Sequence, residues 1–192
     1  MRLGRLMVAV FGATVLLTAL VGAASAGRLS TSSQRLRATW ARLNFGGGAG
    51  TVECEVVAEG SFHERTISKT VETLSGFITS ANITRCSRGS ATVLRESLPW
   101  HVRYASFTGT LPNITTIMAR VFGVSFNIRE PFGVTCLSRA TASIAFNREA
   151  GGATTSATAS GEGVCGGAVG NFSGTTSSFD NGSGTRITVT LI

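Results

Sequence analysis

The chain has 192 residues, with 17 basic and 10 acidic residues and a formal net charge of +7. This length suits a single domain. The charge is modest and no run of five basic residues occurs, which argues against a specific nucleic-acid-binding protein. Asp180 is the one aspartate among the acidic residues, which leaves few carboxylates for catalysis.

The N-terminus has the pattern of a secretory signal peptide. Arg2 and Arg5 precede the uncharged apolar residues 6–21, and the small residues Ala24, Ser25 and Ala26 follow. The apolar run is shorter than the roughly 20 residues of a membrane span, although a retained N-terminal anchor is the alternative. We expect cleavage after Ala26, which gives a secreted, extracellular protein. Residues 27–192 would then form a single all-β domain with a net charge of +5 and no transmembrane segment.

The four cysteines predict two disulfides, because exported proteins mature in an oxidising compartment. Four cysteines allow three connectivities. Sequential pairing of Cys54 with Cys86 and of Cys136 with Cys165 is favoured, since each pair would then tie together one half of the domain. No CxxC spacing occurs, so neither a metal site nor another cofactor is expected.

Alternating apolar and polar residues predict strands along most of the chain. Residues 36–45 alternate with a bulge near Arg42, and the glycine-rich residues 46–50 indicate a hairpin turn before the next strand. Further alternating runs occur at residues 52–56, 91–96, 124–128, 134–144 and 185–192. Gly123 indicates a bulge or bend before the third of these runs. The last run is expected to be a C-terminal strand that pairs within the sheet. Residues 67–74 fit either a strand or a helix with Ile67, Val71 and Leu74 on one face. The pattern predicts an antiparallel β-sandwich or barrel of roughly 8–11 short strands.

The central stretch, residues 98–111, supplies the strongest candidates for binding. Trp100, Val102 and Tyr104 alternate with His101 and Arg103, so a strand places the large side chains in the core and the basic ones outside. A histidine and an arginine beside aromatic residues suit an acidic sugar or a phosphate. A polar outer strand face with no ligand is the alternative.

His63 and Glu64 complete the set of candidate binding residues, because HER at 63–65 is the other place where titratable groups cluster.

Patterns typical of catalysis are weak. A Ser-His-Asp triad would require His63 or His101 with Asp180, yet Asp180 precedes Asn181 and Gly182, which indicate a tight turn. Glu53 and Glu55 stand on one strand face, and with Glu64 they define the alternative of a secreted glycoside hydrolase. No catalytic residue is assigned.

The segments GTVEC, GSFHERTISK, LPWHVRY, FTGTLPNIT and TRITVTLI resemble a group of uncharacterised secreted β-rich proteins from high-GC Gram-positive bacteria. The resemblance implies export and a bacterial source, and it carries over no functional residue. The sequence thus favours an exported, non-catalytic β-domain with a binding or structural role at the cell envelope or in the extracellular space. An anionic envelope polymer or polysaccharide is the expected partner. A barrel that carries an apolar ligand is a further alternative.

Overall fold

The computed structural model describes residues 28–47, 49–110, 113–148, 154–165 and 168–191 as an all-β protein. Residues 1–27, and with them the predicted signal peptide, lie outside the described part. The strands are β1 (Arg28–Thr31), β2 (Arg35–Gly47), β3 (Gly50–Phe62), β4 (Thr66–Ser68), β5 (Leu74–Ser87), β6 (Ser90–Val93), β7 (Trp100–Thr110), β8 (Asn113–Arg129), β9 (Thr135–Arg148), β10 (Thr154–Cys165), β11 (Ala168–Thr175), β12 (Ser178–Asp180) and β13 (Val189–Leu191).

Eight long strands form a closed antiparallel barrel. Their order around the wall is β2, β3, β5, β7, β8, β9, β10 and β11, and β11 pairs with β2 to close it. This closing seam joins Asn171 to Gly46, Phe172 to Phe45 and Ser173 to Asn44. A sandwich is therefore excluded, and the barrel alternative is confirmed.

Shorter strands complete the wall and close one end. β6 pairs with β8 beyond the start of β7, and β12 pairs with β2 beyond the end of β11. A separate sheet of β13, β1 and β4 covers the end of the barrel at which β2 begins, and its Leu29, Ile67 and Val189 are buried. We call this the capped end; the turns from β2 to β3 and from β8 to β9 lie at the opposite end.

Strand alternation directs the apolar side chains into the barrel. Trp100, Val102 and Tyr104 are buried, as the sequence predicts, and burial raises the pKa of the Tyr104 hydroxyl above its ordinary value. The predicted bulges near Arg42 and at Gly123 are confirmed by register shifts in β2 and β8.

Two glycines let β3 and β5 approach closely. A Cβ on Gly60 would clash with the carbonyl oxygen of Phe77, and one on Gly76 would clash with that of Ser61. β3 therefore continues through Gly60 to Phe62, and the strands are longer than predicted, reaching 17 residues in β8. Glycines at such approaches allow a strand to bend as the wall curves.

Two local predictions need correction. Residues 67–74 form neither a helix nor one strand: β4 ends at Ser68, a turn leaves Val71 exposed, and β5 begins at Leu74. The turn is held by backbone hydrogen bonds in which Glu72 donates to Tyr104 and Tyr104 donates to Thr73. The C-terminal strand, β13, pairs with β1 in the capping sheet and not with the main sheet.

The first predicted disulfide is confirmed. Cys54 in β3 bonds to Cys86 in β5, and these residues are 32 positions apart in the chain. Cys136 also takes part in a disulfide, while the side chain of Cys165 lies outside the described residues. Val164 pairs with Leu137 across β9 and β10, so the strand register places Cys165 opposite Cys136.

The register leads to a prediction about the second pair. Peptide mapping of the protein under non-reducing conditions is expected to yield one peptide that links Cys136 to Cys165, and reduction should separate it. Peptides joining Cys54 to Cys86 provide the internal control. Recovery of Cys136 linked to any other cysteine would contradict the register of β9 and β10.

Candidate functional site

A row of outward side chains crosses four neighbouring strands, and on three of them the side chain is aromatic. Strand register aligns Ser61 with Phe77, Phe77 with His101, and His101 with Phe122, across β3, β5, β7 and β8. The residues beside this row, such as Val102, point into the barrel, so the row itself faces outward. A second outward row places Arg103 opposite Arg120.

Phe77 brings the two histidines of the chain together. Its ring makes edge-to-face contacts with His101, at 5.3 Å between ring centroids, and with His63, at 6.2 Å. Such arrangements align the positive edge of one ring with the negative face of another. His63 reaches this position because β3 continues through Gly60 to Phe62, and its backbone N–H donates to the carbonyl of Ser75.

Arg103 and Arg120 form the basic part of the site. The guanidinium carbon of Arg103 lies 5.1 Å from the centroid of the Phe122 ring, a cation–π arrangement. Glu72 accepts a hydrogen bond from Arg120 at 3.1 Å and lies 3.8 Å from an Arg103 nitrogen. We call His63, Glu72, Phe77, His101, Arg103, Arg120 and Phe122 the His101 face.

Glu72 holds its position through an unusual backbone conformation. Its φ is +65°, in the left-handed region that side chains other than glycine rarely adopt. The hydrogen bond from its N–H to the Tyr104 carbonyl fixes the turn beside β7. This conformation aims the carboxylate at both arginines, and non-glycine residues held in this way are concentrated at functional sites.

The charges of the His101 face are available to a ligand. The side chains of Glu72, Arg103 and Arg120 are 38%, 43% and 56% exposed. Ion pairs with this exposure contribute only about 0–1 kcal/mol. A carboxylate or phosphate of a ligand can therefore replace Glu72 as the partner of the arginines at little energetic cost.

The structure assembles three of the four predicted binding residues. His63, His101 and Arg103 belong to the His101 face. Glu64 is exposed and lines a depression of about 130 Å³ at the capped end, which His63 and Arg28 also line.

The carboxylates suggested for catalysis lie outside the His101 face. Glu53 and Glu55 point outward from β3, and Glu55 accepts a hydrogen bond of 2.7 Å from Arg85. Asp180 accepts a hydrogen bond from the Gly182 backbone at 2.7 Å, which confirms its predicted role in a turn. Within the described residues, no group of three or more His, Cys, Asp or Glu side chains could hold a metal ion.

Sequence reasoning missed Glu72, Phe77, Arg120 and Phe122. Phe77 follows Gly76 and Phe122 precedes Gly123, so both interrupt simple alternation. Each lies beside His101 only because its strand pairs with β7, and local alternation does not reveal this pairing. The bulge predicted at Gly123 was the one available signal, because a bulge shifts the alternation and leaves Phe122 outside while Val121 and Val124 stay buried.

The barrel interior offers little space for a ligand. An apolar cavity of about 60 Å³ lies near its centre, and another of about 30 Å³ lies towards the capping sheet. Phe62, Val102, Phe146 and Phe179 line both. An engineered cavity that binds benzene measures about 150 Å³. Side chains thus fill most of this interior, as in the narrowest eight-stranded barrels.

These features define the protein as a filled, antiparallel eight-stranded β-barrel with an aromatic and basic outer face. No protein-family model, curated protein or solved structure matches the chain. In the described residues, no helix has the length and apolar character needed to cross a membrane.

Proposed function

We propose that the protein is an exported, non-catalytic β-barrel that binds an anionic envelope polymer or polysaccharide through the His101 face. The main observation behind this proposal is that His101 and Arg103 lie on the outer face of the barrel. There they are next to Phe77, Phe122 and Arg120. Export is the part of the proposal that rests on the N-terminal pattern of the sequence.

The arrangement supports an extended, anionic ligand. Rows of outward side chains across four strands form an open surface, which accepts a polymer chain more readily than a small molecule. Arginine pairs well with carboxylates and phosphates because its planar guanidinium donates several hydrogen bonds. The neighbouring aromatic rings provide apolar area for sugar rings. With two arginines, two histidines and one glutamate, the surface favours a negatively charged partner.

Replacing both Arg103 and Arg120 with glutamine is expected to weaken polymer binding by at least about tenfold, because hydrogen bonds to charged groups contribute about 1.5–3 kcal/mol each. Binding of the purified protein to immobilised polygalacturonate and to teichoic acid at low salt measures this. These two polymers distinguish carboxylate from phosphate recognition, and uncharged dextran and duplex DNA serve as comparisons.

R37Q is the matched control, because Arg37 forms a similarly exposed ion pair with Glu59, at 3.6 Å, on another part of the wall. The control should retain full binding. The proposal fails if the unmodified protein binds neither anionic polymer at low salt, or if R37Q loses as much affinity as the double variant.

A further inference from the structure

The turn between β8 and β9 carries the most exposed aromatic side chain among the described residues. Phe132 is 96% exposed, and Val134 and Leu137 beside it are also exposed. This turn lies at the end of the barrel opposite the capping sheet and away from the His101 face. We call Phe132, Val134 and Leu137 the apolar tip.

The base of the apolar tip is fixed to the barrel. Glu130 is 2% exposed, and its carboxylate accepts a hydrogen bond of 2.8 Å from the N–H of Ala49 in the β2–β3 turn. The Glu130 backbone closes the turn by donating to Val134 at 2.7 Å and accepting from Gly133 at 3.2 Å. These hydrogen bonds therefore fix the position of the turn that carries Phe132 relative to the barrel.

Phe132 itself adopts a left-handed conformation, with a φ of +69°. A residue with a bulky side chain is strained in this region, whereas glycine is not. The chain thus combines an unfavourable backbone conformation with an aromatic ring in water. Both costs are offset if the ring enters an apolar environment on binding.

Three arginines lie near the apolar tip in the strand register. Arg129 precedes the turn, and a Cβ on Gly133 would lie 4.0 Å from one of its nitrogens. Ser90 pairs with Arg129, which brings Arg88 to the same end, and Arg139 follows Leu137 on the outer face of β9. All three are exposed, and none forms an ion pair with another described residue.

We infer that the apolar tip docks the protein on an anionic lipid surface, with Phe132 in the interface and Arg88, Arg129 and Arg139 at the headgroups. A protruding aromatic ring flanked by basic residues suits the boundary between headgroups and acyl chains. A second copy fits less well, because a two-fold contact here would oppose like charges, and a single tip falls far short of the roughly 800 Å² per partner of a stable interface. This inference goes beyond the proposed polymer binding and uses different residues.

Fluorescence at position 132 tests the docking directly. In the full chain carrying F132W, vesicles of equal parts phosphatidylglycerol and brominated phosphatidylcholine are expected to quench the emission of the new indole. Pure brominated phosphatidylcholine vesicles should quench it several-fold less. Trp40 and Trp100 are buried and contribute a constant background. Because the probe reports on residue 132, apolar residues at the start of the chain do not produce the signal.

V71W is the matched control, because Val71 is 60% exposed but lies towards the capped end; it should show no quenching. F132S should bind these vesicles about tenfold more weakly while unfolding at the same temperature. R88Q/R139Q should weaken binding about 25-fold, since each basic residue near the surface changes affinity about fivefold. R103Q/R120Q should bind vesicles normally, which separates this inference from the proposed function.

Equal quenching at positions 132 and 71 would overturn the inference. So would light scattering that shows a dimer dissociated by F132S in the absence of vesicle binding, since the tip would then contact a second copy.

Discussion

Replacing Phe45 with alanine is expected to lower the free energy of unfolding by about 3–5 kcal/mol. Phe45 is fully buried and contacts Phe126 and Phe172 at centroid distances of 5.1 and 6.3 Å. It also pairs with Phe172 across the closing seam. The substitution therefore leaves a cavity and weakens packing at the seam. Equilibrium unfolding in urea, followed by circular dichroism, measures the change.

Phe132 provides the control for this prediction, because the same substitution there removes a ring that is 96% exposed. F132A should change the free energy of unfolding by no more than about 0.5 kcal/mol. A loss below about 1.5 kcal/mol for F45A would contradict the packing described for this end of the barrel.

Removing the Cys54–Cys86 disulfide is expected to have the second largest effect, a loss of about 3–4 kcal/mol. In the chain-entropy model, a cross-link between residues 32 positions apart stabilises the fold by this amount, because it restricts the unfolded chain. The C54A/C86A variant is preferable to serine replacements, since Cys54 is 1% exposed and a hydroxyl there would need a buried partner. Urea unfolding under non-reducing conditions provides the measurement.

V52A distinguishes the effect of the cross-link from the effect of lost packing. Val52 is fully buried on the same strand, two residues before Cys54. Both variants should be less stable, but only C54A/C86A should show a steeper dependence on urea, because its unfolded chain expands and exposes more surface. A stability loss below about 1 kcal/mol for C54A/C86A would refute the entropic account.

Local patterns predicted the strands but not the closure of the barrel. The alternation of Trp100, Val102 and Tyr104 places these residues in the interior, and Gly123 marks a bulge. Closure depends on the pairing of Phe45 with Phe172, and these residues are too far apart in sequence for a local pattern to relate them. The length of β3 was missed for another reason: Gly60 indicates an interruption in the sequence, but in the barrel it permits a close approach.

The His101 face likewise contains some residues that local patterns predict and others that they do not. His101 and Arg103 share a face because they are two residues apart on one strand, and this was predictable. Phe77 and Phe122 lie beside these two residues because of the registers in which β5 and β8 pair with β7, and the sequence does not give these registers. Glu72 reaches the arginines from a turn with a positive φ, a conformation for which a glutamate gives no sequence signal.

The order of strands around the wall determines how the chain can fold. Most neighbouring strands lie close together in sequence and can associate as growing hairpins at a small cost in loop entropy. The seam between β2 and β11 joins opposite ends of this array, so among the eight long strands its contacts have the highest contact order and form late. The seam is short, with three paired positions supported by the Trp40 indole N–H donating to the Gly174 carbonyl at 3.2 Å. Local unfolding of the barrel should therefore begin there, by separation of β11 from β2.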